Sequence, residues 1–195
     1  MRTGLFFGTF NPIHRGHEAL AASFLSSCRI DELWIVLTPF PPHKETSELA
    51  ALEDRRAMLN LVFGGQTGVH IAVPEKDLPP PHYTVNTLNH VARKSPDRQF
   101  VLCIGGDTLQ TIPGWYRFGD IVDLAELLVA ERPGASRIVP VELELFTIHF
   151  CEHKAVDISS SNIRRVIAGG GNPPESHLHP AVENFIRENR LYRPD

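Results

Sequence analysis

The chain has 195 residues, enough for one domain with a sizeable apolar core. Its 23 acidic residues exceed its 19 basic ones, giving a formal net charge of −4, which argues against a nucleic-acid-binding surface. Three widely spaced cysteines predict neither a disulfide framework nor a zinc knuckle, and they favour a reducing cytoplasmic location. We expect no signal peptide or membrane span, because no stretch approaches the roughly 20 apolar residues that a span needs.

Short apolar runs alternate with helical patterns along the chain. The runs predict strands at Thr3–Phe7, Leu33–Thr38, Val69–Val73, Phe100–Ile104, Leu127–Ala130 and Phe146–Phe150. Periodic segments predict helices at Gly16–Ser27, Leu52–Phe63, Thr84–Lys94, Ser160–Ala168 and Pro180–Asn189. This alternation favours an α/β fold, a Rossmann-like parallel sheet with helices on both faces. We expect a single domain over 1–195, with the core at 1–150 and a small helical extension at 151–195.

The informative loops each follow a predicted strand, at 8–16, 39–44, 74–83 and 105–118. Ligands of open parallel sheets bind at the carboxyl ends of the strands, where the strand order reverses. We therefore expect these loops to lie together along one edge of the sheet.

The first of these loops belongs to the segment GTFNPIHRGH, Gly8 to His17. A glycine turn between a strand and a helix start directs backbone N–H groups at an anion. Gly8 allows close approach of a ligand, and Pro12 stiffens the turn. His14 and His17 can donate to phosphate oxygens and, as imidazolium, can neutralise developing charge. The segment predicts a site for phosphate chemistry.

A second motif, ISSSNIRR, covers Ile158 to Arg165. Its serines are candidate N-caps for a helix whose free N–H groups face a phosphate. Arg164, in the first turns of that helix, can bind a leaving pyrophosphate with planar paired donors.

Together the two motifs resemble the H-x-G-H and I-S-S-T-x-I-R signatures of the nucleotidyltransferase superfamily related to class I aminoacyl-tRNA synthetases. The remaining loops resemble those of bacterial nicotinate-nucleotide adenylyltransferases, and the resemblance runs from Gly4 to Tyr192. Departures are a single Gly8 where many members have a glycine pair, Asn11 for the commoner Asp, and His82 for Ser. The matching segments are PFPPHK (39–44), DRRAML (54–59), HYTVNTL (82–88), IGGD (104–107), PGWYRF (113–118), ERPG (131–134) and VENFIRENRLY (182–192).

The resemblance implies transfer of AMP from ATP to nicotinate mononucleotide, a step of NAD biosynthesis that releases pyrophosphate. It implies Mg²⁺ brought in by ATP, with no metal ligands from the protein. His14, His17 and Arg164 are expected to be catalytic. The implied ATP-binding residues are Gly8, Thr9, Phe10, His14, His17, Gly105, Asp107, Arg132, Ile158, Ser159, Ser160 and Arg164. The implied acceptor-binding residues are Lys44, Thr84, Trp115 and Tyr116.

Two alternatives stay open at this point. The first is an adenylyltransferase for nicotinamide mononucleotide, whose enzymes also use the residue found at Asn11, or for phosphopantetheine, whose enzymes generally have lysine at the position of Arg164. The second is a non-catalytic nucleotide sensor on the same fold. The sequence also leaves open whether Arg55 supports the site or is a surface charge, and whether the chain forms a homo-oligomer. The histidines at 149, 153, 177 and 179 are expected to be solvated or hydrogen-bonded locally.

Overall fold

The computed structural model of the chain describes residues 1–39, 49–74, 78–134, 137–154 and 156–193. In these ranges six strands form one sheet of order β3-β2-β1-β4-β5-β6, and all neighbouring strands are parallel. The expected Rossmann-like α/β fold is therefore confirmed. The strands are β1 (Arg2–Gly8), β2 (Glu32–Leu37), β3 (Val69–Ala72), β4 (Gln99–Gly105), β5 (Glu126–Glu131) and β6 (Ile148–Glu152).

Helices connect the strands and follow the last one. In α5 the start is fixed by Ser159, whose hydroxyl accepts the backbone N–H of Asn162, as the serine run predicts. In α6 Pro180 occupies the first turn, where the missing N–H costs no hydrogen bond. The helices are α1 (Arg15–Ser26), α2 (Leu52–Phe63), α3 (Thr84–Lys94), α4 (Gly106–Thr111), α5 (Ser160–Ala168) and α6 (Pro180–Glu188).

Two apolar layers cover the two faces of the sheet. Leu5 and Phe6 are neighbours on β1, so they point to opposite faces and enter different layers. The Phe6 layer is closed by residues of α1, α2, α5 and α6. The Leu5 layer is closed by α3 and α4. The central strands are thus buried on both sides, which explains their continuous apolar sequence.

The structure differs from the expected elements most clearly at β6 and α4. Strand β6 begins two residues later than expected, at Ile148, because Phe146 lies in a turn whose N–H donates to Leu143 O over 2.9 Å. Phe146 is still buried, which accounts for its apolar signal. The short helix α4 has no counterpart among the expected elements, since its sequence opens with a glycine and spans only six residues. No helix among the described residues is long and apolar enough to cross a bilayer.

The strand order reverses between β1 and β4, at the centre of the sheet. The loops that follow β1, β4, β5 and β6 leave the sheet at the same edge, because all strands are parallel. The described parts of the loops singled out in the sequence lie there, as expected. This edge carries the candidate site.

Candidate active site

The turn after β1 is shaped by Phe10. This residue has a φ of 46°, in the left-handed region that non-glycine residues rarely adopt. Its ring folds back over Gly8, where an added Cβ would lie 2.6 Å from the ring. The ring also packs edge-on against Phe6, with centroids 5.6 Å apart. The buried Phe10 ring therefore leaves no room for a side chain at position 8.

His14 and His17 stack on one another at the start of α1, with ring centroids 3.8 Å apart. Burial, aided by repulsion from His177, lowers the pKa of His14 to about 4. With that pKa His14 is mainly neutral near pH 7, which favours a hydrogen-bonding role for it over the expected imidazolium. The backbone N–H of His14 donates to Nδ1 of His17 over 3.3 Å. In neutral His17 the proton is therefore on Nε2, which can donate to a phosphate.

Three side chains from the end of the chain bind the turn at Asn11 and Pro12. Ser160 donates its hydroxyl proton to Pro12 O over 2.9 Å, and Arg164 Nη1 donates to Asn11 O over 3.0 Å. The Tyr192 hydroxyl donates to Asn11 Oδ1 over 2.9 Å. The two sequence motifs are thus joined directly.

Arg55 lies beneath the same turn and is 1 % exposed. Its guanidinium donates to the backbone carbonyls of Thr9, Thr38, Pro39 and Ala50 over 2.8–3.0 Å. These carbonyls belong to the ends of β1 and β2 and to the approach to α2. Arg55 supports the site, which settles the question that the sequence left open.

The larger of two cavities along this edge has a volume of 730 Å³. It extends from the two histidines, past Asp107 and Arg132, to His153 beyond β6. Its floor includes the start of α5 at Ser159–Ser161, where free backbone N–H groups favour an anion. It combines donors for phosphates with a carboxylate suited to ribose hydroxyls.

The second cavity, which we call the aromatic cavity, has a volume of 490 Å³. Trp115 lines it beside Tyr83 and Tyr116, whose rings stack with centroids 4.3 Å apart. Thr84, at the first position of α3, lines the same cavity. Flat aromatic faces and few charges suit a planar heterocycle.

The two cavities share four lining residues, Leu20, Gly105, His17 and Asp107, so the polar side chains at which they meet are His17 and Asp107. The aromatic cavity contains three of the expected acceptor residues, Thr84, Trp115 and Tyr116, together with Gly8 and Thr9. The larger cavity contains most of the expected ATP residues, namely His14, His17, Gly105, Asp107, Arg132, Ile158, Ser159 and Ser160.

Three expected residues line neither cavity as described. Phe10 is expected to bind phosphate through its backbone, and its side chain is buried in the core. Arg164 lines neither cavity, since its guanidinium is bound to the turn at Asn11. Lys44 lies outside the described residues, so its predicted role stays a prediction.

The larger cavity has further lining residues that the sequence did not indicate: Gln110, Ile138, Val156 and His153. The expectation of a solvated or locally bonded side chain is wrong for His153, which is 8 % exposed and bonds to Ser23, 130 residues away. A single histidine after a strand gives no sequence signal of such a partner. Within the described residues there is no group of three or more His, Cys, Asp or Glu side chains that could hold a metal.

Comparison with known proteins gives concordant results. The model of the cytidylyltransferase-like family matches residues 5–166. A relative from Gloeobacter violaceus, named "Probable nicotinate-nucleotide adenylyltransferase", is 32 % identical over 98 % of this chain and 96 % of its own length. A relative of the same name from Flavobacterium johnsoniae is 35 % identical over 99 % and 100 %. The fold is similar to Plasmodium falciparum nicotinic acid mononucleotide adenylyltransferase complexed with NaAD, with a TM-score of 0.81 at 20 % identity, covering 98 % of this chain and 97 % of that one.

Proposed function

The chain belongs to the nicotinate-nucleotide adenylyltransferases within the cytidylyltransferase-like family, and from this we infer that it transfers AMP from ATP to nicotinate mononucleotide. The products are nicotinate adenine dinucleotide and pyrophosphate. The enzyme therefore catalyses a step of NAD biosynthesis.

Two unlike cavities meet at His17 and Asp107, and this arrangement is the main support for the proposed mechanism. We assign ATP to the larger cavity, which has the phosphate donors and the helix start at Ser159–Ser161. We assign the pyridine nucleotide to the aromatic cavity, where Trp115 offers a face for its ring. The two phosphates that react would then meet at His17.

The reaction needs positioning and charge stabilisation more than acid–base chemistry. A phosphate monoester is already ionised near pH 7, so its oxygen attacks the α-phosphorus of ATP directly, and the bond from the α-phosphorus to the bridging oxygen of pyrophosphate breaks. We assign no protein nucleophile or general base. His17, through Nε2–H, and His14, as a neutral imidazole, hold the phosphates as charge shifts to the leaving group.

Backbone groups and the second motif complete the phosphate site. The N–H groups of the turn at Thr9 and Phe10 are oriented by Arg55 from below and are proposed to bind the α-phosphate. The start of α5 is proposed to receive the leaving pyrophosphate. Arg164 is on the same helix and holds the turn at Asn11, so it couples the two halves of the site.

We propose that Mg²⁺ arrives bound to ATP. Among the described residues, Asp107 is a carboxylate that lines both cavities. It could accept a hydrogen bond from a ribose hydroxyl or from a water bound to the ion. When bound, the ion neutralises charge on the triphosphate.

The proposal is tested by following both products in one reaction. Purified enzyme with MgATP and nicotinate mononucleotide is expected to release pyrophosphate and dinucleotide in equal amounts. Pyrophosphate release without dinucleotide, or ATP binding without turnover across a panel of phosphate acceptors, would contradict the assigned transfer and favour a nucleotide sensor.

A further inference from the structure

His153 is a buried histidine of the larger cavity to which the proposed transfer assigns no role. It directly follows β6, and its backbone N–H donates to Glu131 O over 2.7 Å. That bond fixes its main chain beside the end of β5. The imidazole lies against α1, where Nδ1 is 3.2 Å from the Ser23 hydroxyl oxygen.

The partners of Ser23 determine which ring nitrogen of His153 carries the proton. The single hydroxyl proton of Ser23 is donated to Ala19 O, one helical turn earlier, over 2.9 Å. With its proton used in this way, the Ser23 oxygen accepts from His153, which favours the tautomer that is protonated on Nδ1. Nε2 then has a free lone pair and is a hydrogen-bond acceptor.

The same environment keeps the ring neutral. Burial, aided by repulsion from Arg132, lowers the pKa of His153 and so favours the neutral ring, in which Nε2 carries no proton. A neutral imidazole with its acceptor in the cavity repels phosphate oxygens and suits a ligand that donates an N–H.

The position of His153 separates it from the phosphate end of the cavity. Strand β6 lies three strands from β1 in the sheet, which at 4.8 Å per strand is about 14 Å. Ser23 is six residues after His17 on α1, which is about 9 Å along the helix axis. A nucleotide with its phosphates at His14 and His17 and its ribose at Asp107 would direct its base toward β5 and β6. The apolar side chains of Ile138 and Val156 line this end as well.

We propose that His153 is a specificity-determining residue that accepts a hydrogen bond, through Nε2, from the 6-amino group of the adenine of ATP. This inference rests on the assignment of ATP to the larger cavity. Adenine carries an N–H donor at position 6, whereas hypoxanthine and guanine carry an oxygen acceptor there. A 6-oxo purine would bring that oxygen against the lone pair of Nε2, so His153 both favours adenine and disfavours its 6-oxo analogues.

The test compares three triphosphates on the full-length enzyme: ATP, purine riboside triphosphate, which lacks the 6-amino group, and inosine triphosphate. Calorimetry gives their dissociation constants without turnover, and pyrophosphate release with nicotinate mononucleotide gives kcat/KM. For the wild-type enzyme we expect about tenfold weaker binding of purine riboside triphosphate than of ATP, and weaker binding still of inosine triphosphate.

Substitutions then test whether His153 causes this preference for ATP. His153→Leu should weaken ATP about tenfold and leave purine riboside triphosphate nearly unchanged, so that the preference for ATP disappears. His153→Gln, whose side-chain oxygen is an acceptor, should restore part of the preference for ATP. Ser23→Ala should reduce this preference, because Nδ1 of His153 no longer has its acceptor. Ser26→Ala on the same helix should leave the preference unchanged. His149→Leu removes a histidine of β6 that lines neither cavity, and should leave the preference for ATP intact.

The outcomes separate this inference from the proposed function. Equal weakening of ATP and purine riboside triphosphate by His153→Leu would show a structural role only and overturn the inference. An enzyme that discriminates the bases by calorimetry but makes no dinucleotide would support the inference and contradict the proposed transfer. A wild-type enzyme that binds the three triphosphates equally would overturn the inference while leaving the transfer intact.

Discussion

Arg164 Nη1 donates to the backbone carbonyl of Asn11 over 3.0 Å, across a separation of 153 residues in sequence. This bond joins the helix that starts at Ser160 to the turn that precedes His14. The two phosphate motifs therefore form one structural unit, and a change in either should alter the position of the other.

Arg164→Ala should lower kcat about a hundredfold, because it removes both a charge and the bond that fixes the turn. Arg164→Lys should recover only part of the loss, since an ammonium cannot donate in a planar pair. Pyrophosphate release at saturating substrates measures the effect. The matched control is Arg165→Ala: its exposed guanidinium donates to Asn162 within the same helix and should be dispensable. Equal activity of both alanine variants would remove Arg164 from the site.

Arg55→Ala should destabilise the fold, because four backbone carbonyls lose a buried donor at once. We expect a loss of about 3 kcal/mol in the free energy of unfolding, measured by urea denaturation. Arg56 is the exposed neighbour on α2, and Arg56→Ala should change stability by less than about 0.5 kcal/mol. A similar small change for Arg55→Ala would show that the carbonyls find water instead.

His14 should make the fold sensitive to mild acid. The unfolded chain binds a proton at His14 below about pH 6.5, whereas in the folded state burial lowers the pKa to about 4. The stabilisation is therefore complete above pH 6.5 and is lost as the pH falls toward 4, by at most about 3 kcal/mol. His82 and His153, whose pKa values burial also lowers, act in the same direction.

Urea denaturation at pH 7.5 and pH 5 measures this dependence. In His14→Asn the difference in unfolding free energy between the two pH values should be smaller than in the wild-type enzyme, because the contribution of His14 is lost. It should not vanish, because His82 and His153 still contribute. An identical difference in both proteins would show that folding does not lower the pKa of His14.

Trp115→Ala should raise the KM for the pyridine nucleotide about tenfold and leave the KM for ATP nearly unchanged, because Trp115 lines only the aromatic cavity. Steady-state kinetics with each substrate varied in turn measure both constants. Trp34, the other tryptophan, bonds to Glu32 at the start of β2, so Trp34→Phe should leave both constants unchanged. An unchanged KM for the acceptor in Trp115→Ala would remove that residue from the ring site.

The fold and the chemistry of the loops could be predicted because their signals are local. Alternating apolar runs and helical periods indicate the parallel sheet, and consecutive serines indicate the cap at Ser159. Both follow from backbone geometry within a few residues of the signal.

The features of the site that the sequence did not predict depend on contacts between residues that are distant in sequence. The protonation state of His14 depends on burial and on His177, and the acceptor atom of His153 depends on Ser23. The role of Arg55 depends on carbonyls at the ends of two other strands. Such relationships arise only when the sheet brings its loops to one edge, so no spacing in the sequence predicts them.

The proposed transfer is best tested by the rate of pyrophosphate release from MgATP with three acceptors in parallel reactions. These are nicotinate mononucleotide, nicotinamide mononucleotide and phosphopantetheine, each at limiting and saturating concentration. We predict the highest kcat/KM for nicotinate mononucleotide, and for His17→Ala a loss of at least about a hundredfold in kcat with that acceptor. A higher kcat/KM for another acceptor would contradict nicotinate mononucleotide as the substrate, and near-normal turnover of His17→Ala would contradict the assignment of His17 to the phosphate site.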